Sequence, residues 1–425
     1  MRESVRRPLQ LEVLMRAILS LFLIPFIALP ALAENLVLVN GTIIDGTLKA
    51  RFQGNVRIRD GKITEIGAFK PSAAETLLDV KGLIIAPGFI DLHNHSANAI
   101  KNDLGAVSQI SQGITTAVLG SDGSGPYAVE DFMLPFDEKP PALNIATLVG
   151  HGTVRRQIMG ANYKRAATAD EIDRMGQLVE NAMREGAFGL SSGLDREPGS
   201  YGTTEELIAL AKVMARYGGT YITQVRDDGG KVINSIKEAI EIGRAAKAPV
   251  QISSIKISAE TMWGKTAQVL AEIDKARMQG VDVAADVDPY AEPNLNEKDV
   301  RGFLLHAFVT IASDGGIGVE RPNSAGAFPR VLGQYVREQK VLTLERAIRK
   351  MTGLPASRIG LKERGVLAKG ALADIVVFDP LEVRDHSTLQ EPFAVSAGMK
   401  YVFVNGTLVI MDGKPTGEHA GHALR

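Results

Sequence analysis

The sequence predicts an α/β protein: a (β/α)8 TIM-like barrel clasped by a small β-sandwich domain that draws its strands from both ends of the chain. Three observations lead there. Eight apolar, strand-like runs alternate with helical patterns, as parallel βαβ units do. Asn-Gly and Asp-Gly hairpin signals recur near both termini. The first run of the alternating series ends in His93-Asn94-His95, and side chains two apart on a strand share a face, so both imidazoles aim at one spot.

Taken in order, residues 1–33 read as a secretory signal: Arg2, Arg6, Arg7 and Arg16, a short apolar run interrupted by Pro25 and Pro30, then Ala31-Leu32-Ala33 as the cleavage site. The apolar run is too short for a membrane span, which takes roughly 18 or more residues, so no stable span is expected after cleavage. Met15 is a second possible start. Residues 34–84 form the first part of the small β domain, with residues 36–42 entering an Asn40-Gly41 turn and residues 56–66 turning at Asp60-Gly61. Residues 365–425 supply its second part, with turns at Asn405-Gly406 and Asp412-Gly413.

Residues 85–364 hold the barrel. Its strand candidates are 89–95, 115–120, 145–151, 188–192, 220–225, 250–256, 281–287 and 309–314. Thr168 with Glu171, and Thr203 with Glu206, read as capping boxes, and Leu207, Leu210 and Met214 make an inward stripe closed by Gly218.

With 425 residues, 45% hydrophobic and 23% charged, the chain buries a large core, and a net charge of −1 gives no electrostatic footprint for nucleic acid. It contains no cysteine, so an exported, periplasmic or secreted protein of this kind relies on its core rather than on disulfides.

Active groups of such barrels sit at the C-terminal strand ends, which here carry His93, His95, Asp122, His151, Gln224, Ser254, Asp286 and Asp314. Arg226 and Lys256 each lie two residues past a strand-end polar group. They read equally as a grip on a substrate carboxylate and as ion-pair partners in the barrel mouth. His151 reads either as a substrate contact or as a loop tie. His306 sits in an apolar helical context and reads as structural. Gly189-Leu190-Ser191-Ser192-Gly193 fits a serine-hydrolase elbow, but the Glu197-Pro198-Gly199 loop follows where that elbow needs a helix.

The run Pro87-Gly88-Phe89-Ile90-Asp91-Leu92-His93-Asn94-His95 resembles the first barrel strand of the amidohydrolase superfamily. Gly113-Ile114-Thr115-Thr116, Gly150-His151-Gly152-Thr153, Gly186 to Leu194, Ser313-Asp314-Gly315 and Phe328-Pro329-Arg330-Val331-Leu332-Gly333 narrow the resemblance to its N-acyl-D-amino-acid deacylase branch. The resemblance covers nearly all of the chain after residue 35.

It implies a metal-dependent hydrolase that cleaves the linear amide of an N-acyl-D-amino acid, with a small-molecule substrate and a zinc or other divalent ion. His93, His95 and Asp314 correspond to the first metal position, and Asp314 to the acid/base that serves a metal-activated water. Asp122 stands where relatives carry a cysteine ligand, and a carboxylate ligates or bridges there too.

The resemblance fails at Gln224 and Ser254, which replace ligand histidines and are poor zinc donors. Arg321-Pro322-Asn323 departs from a His-Pro-Arg, and the connection from Tyr290 to Val300 is short where relatives carry a long excursion. These departures imply one ion, an open pocket and slowed turnover. They also support an alternative: a vestigial, ligand-binding protein on the same scaffold. The oligomeric state is not legible in the sequence.

Overall fold

The computed structural model describes residues 35–290 and 295–425. The predicted signal segment lies outside these residues. No helix among them is long and apolar enough to cross a membrane.

Two sheet systems share one chain. The first contains β1 (Leu36–Ile43), β2 (Phe52–Arg59), β3 (Lys62–Gly67), β4 (Thr76–Asp79) and β5 (Ile84–Pro87). The second contains β6 (Phe89–Asp91), β7 (Ile114–Leu119), β8 (Asn144–Thr147), β9 (Val149–Gly150), β10 (Gly189–Gly193), β11 (Thr220–Gln224), β12 (Val250–Ile252), β13 (Val283–Val287) and β14 (Val309–Ile311). The chain then returns to the first sheet with β15 (Ile375–Phe378), β16 (Met399–Val404), β17 (Thr407–Met411) and β18 (Lys414–Pro415).

The first sheet is continuous in the order β18-β17-β16-β15-β5-β1-β2-β3, with β4 also on β1. Its join is β15 lying antiparallel against β5, Ile375 opposite Pro87 and Phe378 opposite Ile84. Strands from both ends of the chain therefore enclose one core, in which Leu38, Val56, Ile58, Ile85, Ile375 and Phe403 are buried together. Three of the four expected turns form, at Asp60-Gly61, Asn405-Gly406 and Asp412-Gly413, each with positive φ at both residues as a type I′ turn requires.

The fourth does not. At Asn40-Gly41 β1 runs straight on: Asn40 sits at φ 64° in a bulge where the register against β2 shifts. The bulge is where β1 changes neighbour, from β4 along Leu36–Val39 to β5 at Thr42 and Ile43. A side chain at Gly41 would strike Ile85, with a Cβ only 2.4 Å from its Cδ1.

All eight predicted barrel strands form and pair in parallel in sequence order. The third is interrupted at Leu148, so that β8 pairs β7 while β9 pairs β10; the Leu148 N–H donating to the Leu119 carbonyl bridges the break. The seam between β6 and β14 closes beyond the strand ends, where His95 N–H donates to Gly315 at 2.8 Å and Asp314 N–H to His93 at 3.1 Å. The two segments that carry the metal-ligand candidates are thus hydrogen-bonded to each other.

Helices cover the barrel. The helix Ala169–Arg184 opens with a complete capping box at Thr168 and Glu171. At the helix Thr204–Ala215, Thr203 accepts from the Glu206 N–H, but the reciprocal half is missing, because the Glu206 carboxylate turns inward to His151 and Arg155. Leu207, Leu210 and Met214 are fully buried. The Phe328 motif is helical, and its ring stacks on Phe89 of β6 at 5.6 Å. Between β13 and β14 the described chain has one nine-residue helix, Glu297–Leu305.

Candidate metal centre

Three side chains converge at the barrel seam. His93, His95 and Asp314 each offer a ligand atom within 4.8 Å of the others'. His95 Nε2 lies 3.1 Å and His93 Nε2 3.4 Å from Asp314 Oδ1. Asp122, from the loop after β7, brings Oδ1 to 3.3 Å from His93 Nε2 and Oδ2 to 3.8 Å from His95 Nε2. The backbone bends sharply to do this: Asp122, Ser254 and Asp314 all adopt positive φ, at 55°, 45° and 50°, a conformation uncommon in non-glycine residues.

Supporting groups fix the ligands. Asp91 is fully buried. It accepts from the His93 N–H, from both the N–H and the hydroxyl of Ser313, and from the Asn94 amide. Burial drives its pKa upward, against the pull of those bonds. Asp286, at the end of the β13 segment, accepts from the Ser254 N–H at 2.8 Å and faces His93 Nδ1 at 3.6 Å. Asn323 donates to the carbonyls of Ser313 and Asp314, holding the Asp314 turn in place.

The electrostatics are those of a cation site. Burial alone would lower the His93 pKa, but the Asp314 and Asp122 charges push it well above the ordinary range. Asp314 is held below the usual carboxylate range: burial opposes this, and His93, His95 and Lys256 overcome it. Both His93 ring nitrogens and Asp122 Oδ1 are buried without a hydrogen bond, despite the carboxylates around them. Buried polar atoms are seldom left unsatisfied. His93 and Asp122, left unpaired beside the His95–Asp314 hydrogen bond, fit a divalent ion between them, and two imidazoles with a carboxylate match a three-ligand catalytic zinc site.

The remaining sequence candidates are placed as follows. Ser254 reaches the centre, its hydroxyl donating to Asp314 Oδ2 at 3.1 Å. Gln224 ends β11 and is buried; among the described residues its side chain makes no hydrogen bond, while its carbonyl accepts from Leu194 and Thr223. Lys256 lines a small recess with Ser254, Asp288 and Asp314, and its ammonium is 3.7 Å from Asp228. Arg226 is brought elsewhere: its guanidinium makes four hydrogen bonds, two to Glu238 and one each to the Ser200 and Gly202 carbonyls. His151 is wholly buried, with Nε2 on Glu206 at 2.8 Å.

His306 pairs with Asp274 at 2.9 Å. Ser191 and Ser192 are buried in hydrogen bonds to Gly120, Tyr221 and Thr223, and among the described residues neither hydroxyl bonds a histidine, so the elbow motif is structural.

Two residues escaped the sequence reading. Asp286 stood among the strand-end groups without a role. Arg196, in the loop after β10, ion-pairs with Asp122 at 3.0 Å and borders a cleft of about 430 Å³ with Tyr127, Thr153 and Arg156. Its only sequence signal was its position just beyond a strand end.

Comparison with known proteins agrees with this geometry. The amidohydrolase family model matches residues 76–320 and 307–410. The chain is 34% identical to a D-aminoacylase of Alcaligenes xylosoxydans xylosoxydans, over 92% of this chain and 97% of that protein. It is 33% identical to an N-acyl-D-glutamate deacylase of the same organism, over 92% and 96%. The first alignment runs over 472 positions, more than this chain's 425 residues, so the relative carries segments absent here.

Among solved structures, a D-aminoacylase studied for its binuclear metal centre, with one-metal activation and second-metal attenuation, superposes with a TM-score of 0.88 at 32% identity, covering 92% of this chain and all of that one. The N-acyl-D-glutamate deacylase of Bordetella bronchiseptica, complexed with zinc and a phosphonate mimic of the tetrahedral intermediate, gives 0.87 at 31%, with the same coverage. On the family match, the relatives and the shared barrel together, the chain belongs to the amidohydrolase family, in its D-aminoacylase branch.

Proposed function

We propose that this chain hydrolyses the amide of an N-acyl-D-amino acid at a centre holding one divalent ion, zinc in the first instance. The observation that carries the reading is the convergence of His93, His95 and Asp314 at the barrel seam, with buried nitrogens left unpaired. His93, His95, Asp314 and Asp122 would hold the ion. When bound, a divalent ion supplies Lewis acidity toward the acyl carbonyl and lowers the pKa of water beside it.

The chain's own groups do the rest. Asp314, anionic and steadied by the Ser254 hydroxyl, accepts the proton of the attacking water and returns it to the departing amide nitrogen, which leaves as an amine beside a free carboxylate. Lys256, on the rim next to Asp314, grips the substrate carboxylate. Arg226 and His151 are left out of this scheme because the Arg226 guanidinium is taken up by Glu238 and two loop carbonyls and His151 is wholly buried with its Nε2 on Glu206.

The loss of nitrogen donors at Gln224 and Ser254 suggested slow turnover. The one-metal activation and second-metal attenuation described for the related D-aminoacylase support a reading in which a single ion, held here by His93, His95 and Asp314, is enough for turnover. The leader-like pattern ending at Ala33 supports export with cleavage after that residue, which N-terminal sequencing of the mature protein checks.

The deciding experiment presents zinc-loaded protein with N-acetyl-D- and N-acetyl-L-amino acids and measures the amine released. Turnover of D substrates with the L series inert is expected. If no N-acyl amino acid is hydrolysed while one is bound in calorimetry, the vestigial ligand-binding alternative replaces this reading.

A further inference from the structure

The Arg196 side chain is held from two sides. Its Nε and one terminal nitrogen sit on the neighbouring Asp195 carboxylate at 3.0 and 2.8 Å, and its other terminal nitrogen lies 3.0 Å from Asp122 Oδ2. The backbone leads it there. A Cβ on Gly193 would come within 2.6 Å of the Asp122 carbonyl, so the end of β10 packs directly on the Asp122 turn. On its other flank Gly193 pairs in register with Gln224, and Leu194 donates to the Gln224 carbonyl. Arg196, three residues beyond Gly193, is thereby brought onto Asp122.

Resting on the single-ion centre proposed above, we propose that the Arg196 guanidinium is a tethered cation that takes the charge-balancing place of a second metal ion and keeps the centre at one. Three carboxylates face His93 within 3.6 Å: Asp122, Asp286 and Asp314. With Asp195, which shares the guanidinium, the carboxylates number four, and one divalent ion, the Arg196 guanidinium and the Lys256 ammonium beside Asp314 neutralise them. Without the guanidinium the same cluster carries an excess negative charge, and Asp122 Oδ2 is free to bind a further cation. Arginine suits the task because it stays charged at any working pH and meets carboxylates with a rigid fork of donors. Ion pairing of Asp122, together with the neutral side chains at Gln224 and Ser254, closes the second position twice over.

The test is metal titration of the full mature chain, followed by calorimetry and elemental analysis with zinc, and by visible absorption with cobalt(II). The parent is expected to take up one equivalent. Arg196→Gln is expected to take up a second, with its dissociation constant lowered by about 10–100-fold relative to the parent's residual second binding, the range that groups contacting metal ligands command. Arg196→Lys, which keeps the charge, should stay at one. Arg196 is about half exposed, with 52% of its side-chain surface accessible, so neither change threatens the fold.

Two equivalents in the parent, no gain in Arg196→Gln, or loss of the first ion in that variant each overturns the proposal. Stoichiometry is read without substrate. Failure of the deacylase reading would leave these results standing, and turnover would be unaffected as a test if the stoichiometry prediction failed.

Discussion

Replacing His151 with alanine separates a substrate contact from a buried tie. The side chain is fully buried, with Nε2 2.8 Å from Glu206, and the same carboxylate receives the buried Arg155 guanidinium at 2.5 Å. Arg155 also donates to the carbonyls of Tyr163, Arg165 and Tyr201. Burial acts to raise the Glu206 pKa, but His151 and Arg155 together hold it below the ordinary range, so the group is an anion shared by two partners.

In His151→Ala the carboxylate keeps Arg155 and loses one buried hydrogen bond, a cost of about 1–3 kcal/mol. In Glu206→Ala the guanidinium is stranded, a cost of about 3–5 kcal/mol. Thermal unfolding should therefore show a Tm lowered by a few degrees for the first variant and by roughly twice as much for the second, at about 2–4 °C per kcal/mol. The KM for an N-acyl-D-amino acid below the melting range should stay unchanged in His151→Ala. A raised KM with an unaltered Tm would refute the argument and put His151 in the substrate pocket.

Other expectations follow from the same structure. The double variant His93→Ala/His95→Ala should lose its tightly held ion in elemental analysis after dialysis against a weak chelator; retention of a full equivalent would remove these residues from the centre. Lys350 is buried, its ammonium donating to the His306 and Val309 carbonyls, and burial with Arg346 nearby lowers its pKa from 10.5 to about 7. The unfolded chain then holds a proton that the folded chain lacks between about pH 7 and 10.5. Stability should rise with pH across that window by up to ~1.4 kcal/mol per unit, and denaturant titrations of Lys350→Met should show the slope flattened. A chain ending at residue 380 lacks β16, β17 and β18 and bares β15. It should aggregate in size-exclusion chromatography, and a soluble truncate with an unchanged melting curve would contradict the two-ended sheet.

The barrel was legible because its signal is periodic: eight apolar runs, each bounded by turn residues, form in the expected order, with boundaries moved by a few residues. His93 and His95 were legible from their spacing at a strand end, where such barrels place chemistry, and Asp314 was singled out from the other strand-end groups only by the family resemblance. What escaped depends on contacts distant in sequence. Asn40-Gly41 looks like a turn to any local reading, yet β1 has partners on both sides of it, so the chain runs through a bulge. Glu206 occupies the capping position, but two buried partners, His151 and Arg155, outbid the backbone for its carboxylate. Arg196 meets Asp122 only because β10 and the loop after β7 pack at Gly193, a meeting no spacing rule encodes.

The hand-over from β5 to β6 sets an order on assembly. Ile84–Pro87 belongs to the terminal sheet and Phe89–Asp91 to the barrel, with only Gly88 between them. A Cβ on Gly88 would lie 2.1 Å from the Thr115 hydroxyl oxygen, so nothing larger fits the passage. β5 finds its antiparallel neighbour only in β15, nearly 290 residues later in the chain. His93 likewise meets its counterpart only when Asp314 arrives across the seam. Such distant pairings are slow to close. Loading of the ion should therefore be a late event, coming after the last quarter of the polypeptide has docked, and an apo chain caught during folding should lack the centre rather than hold it empty.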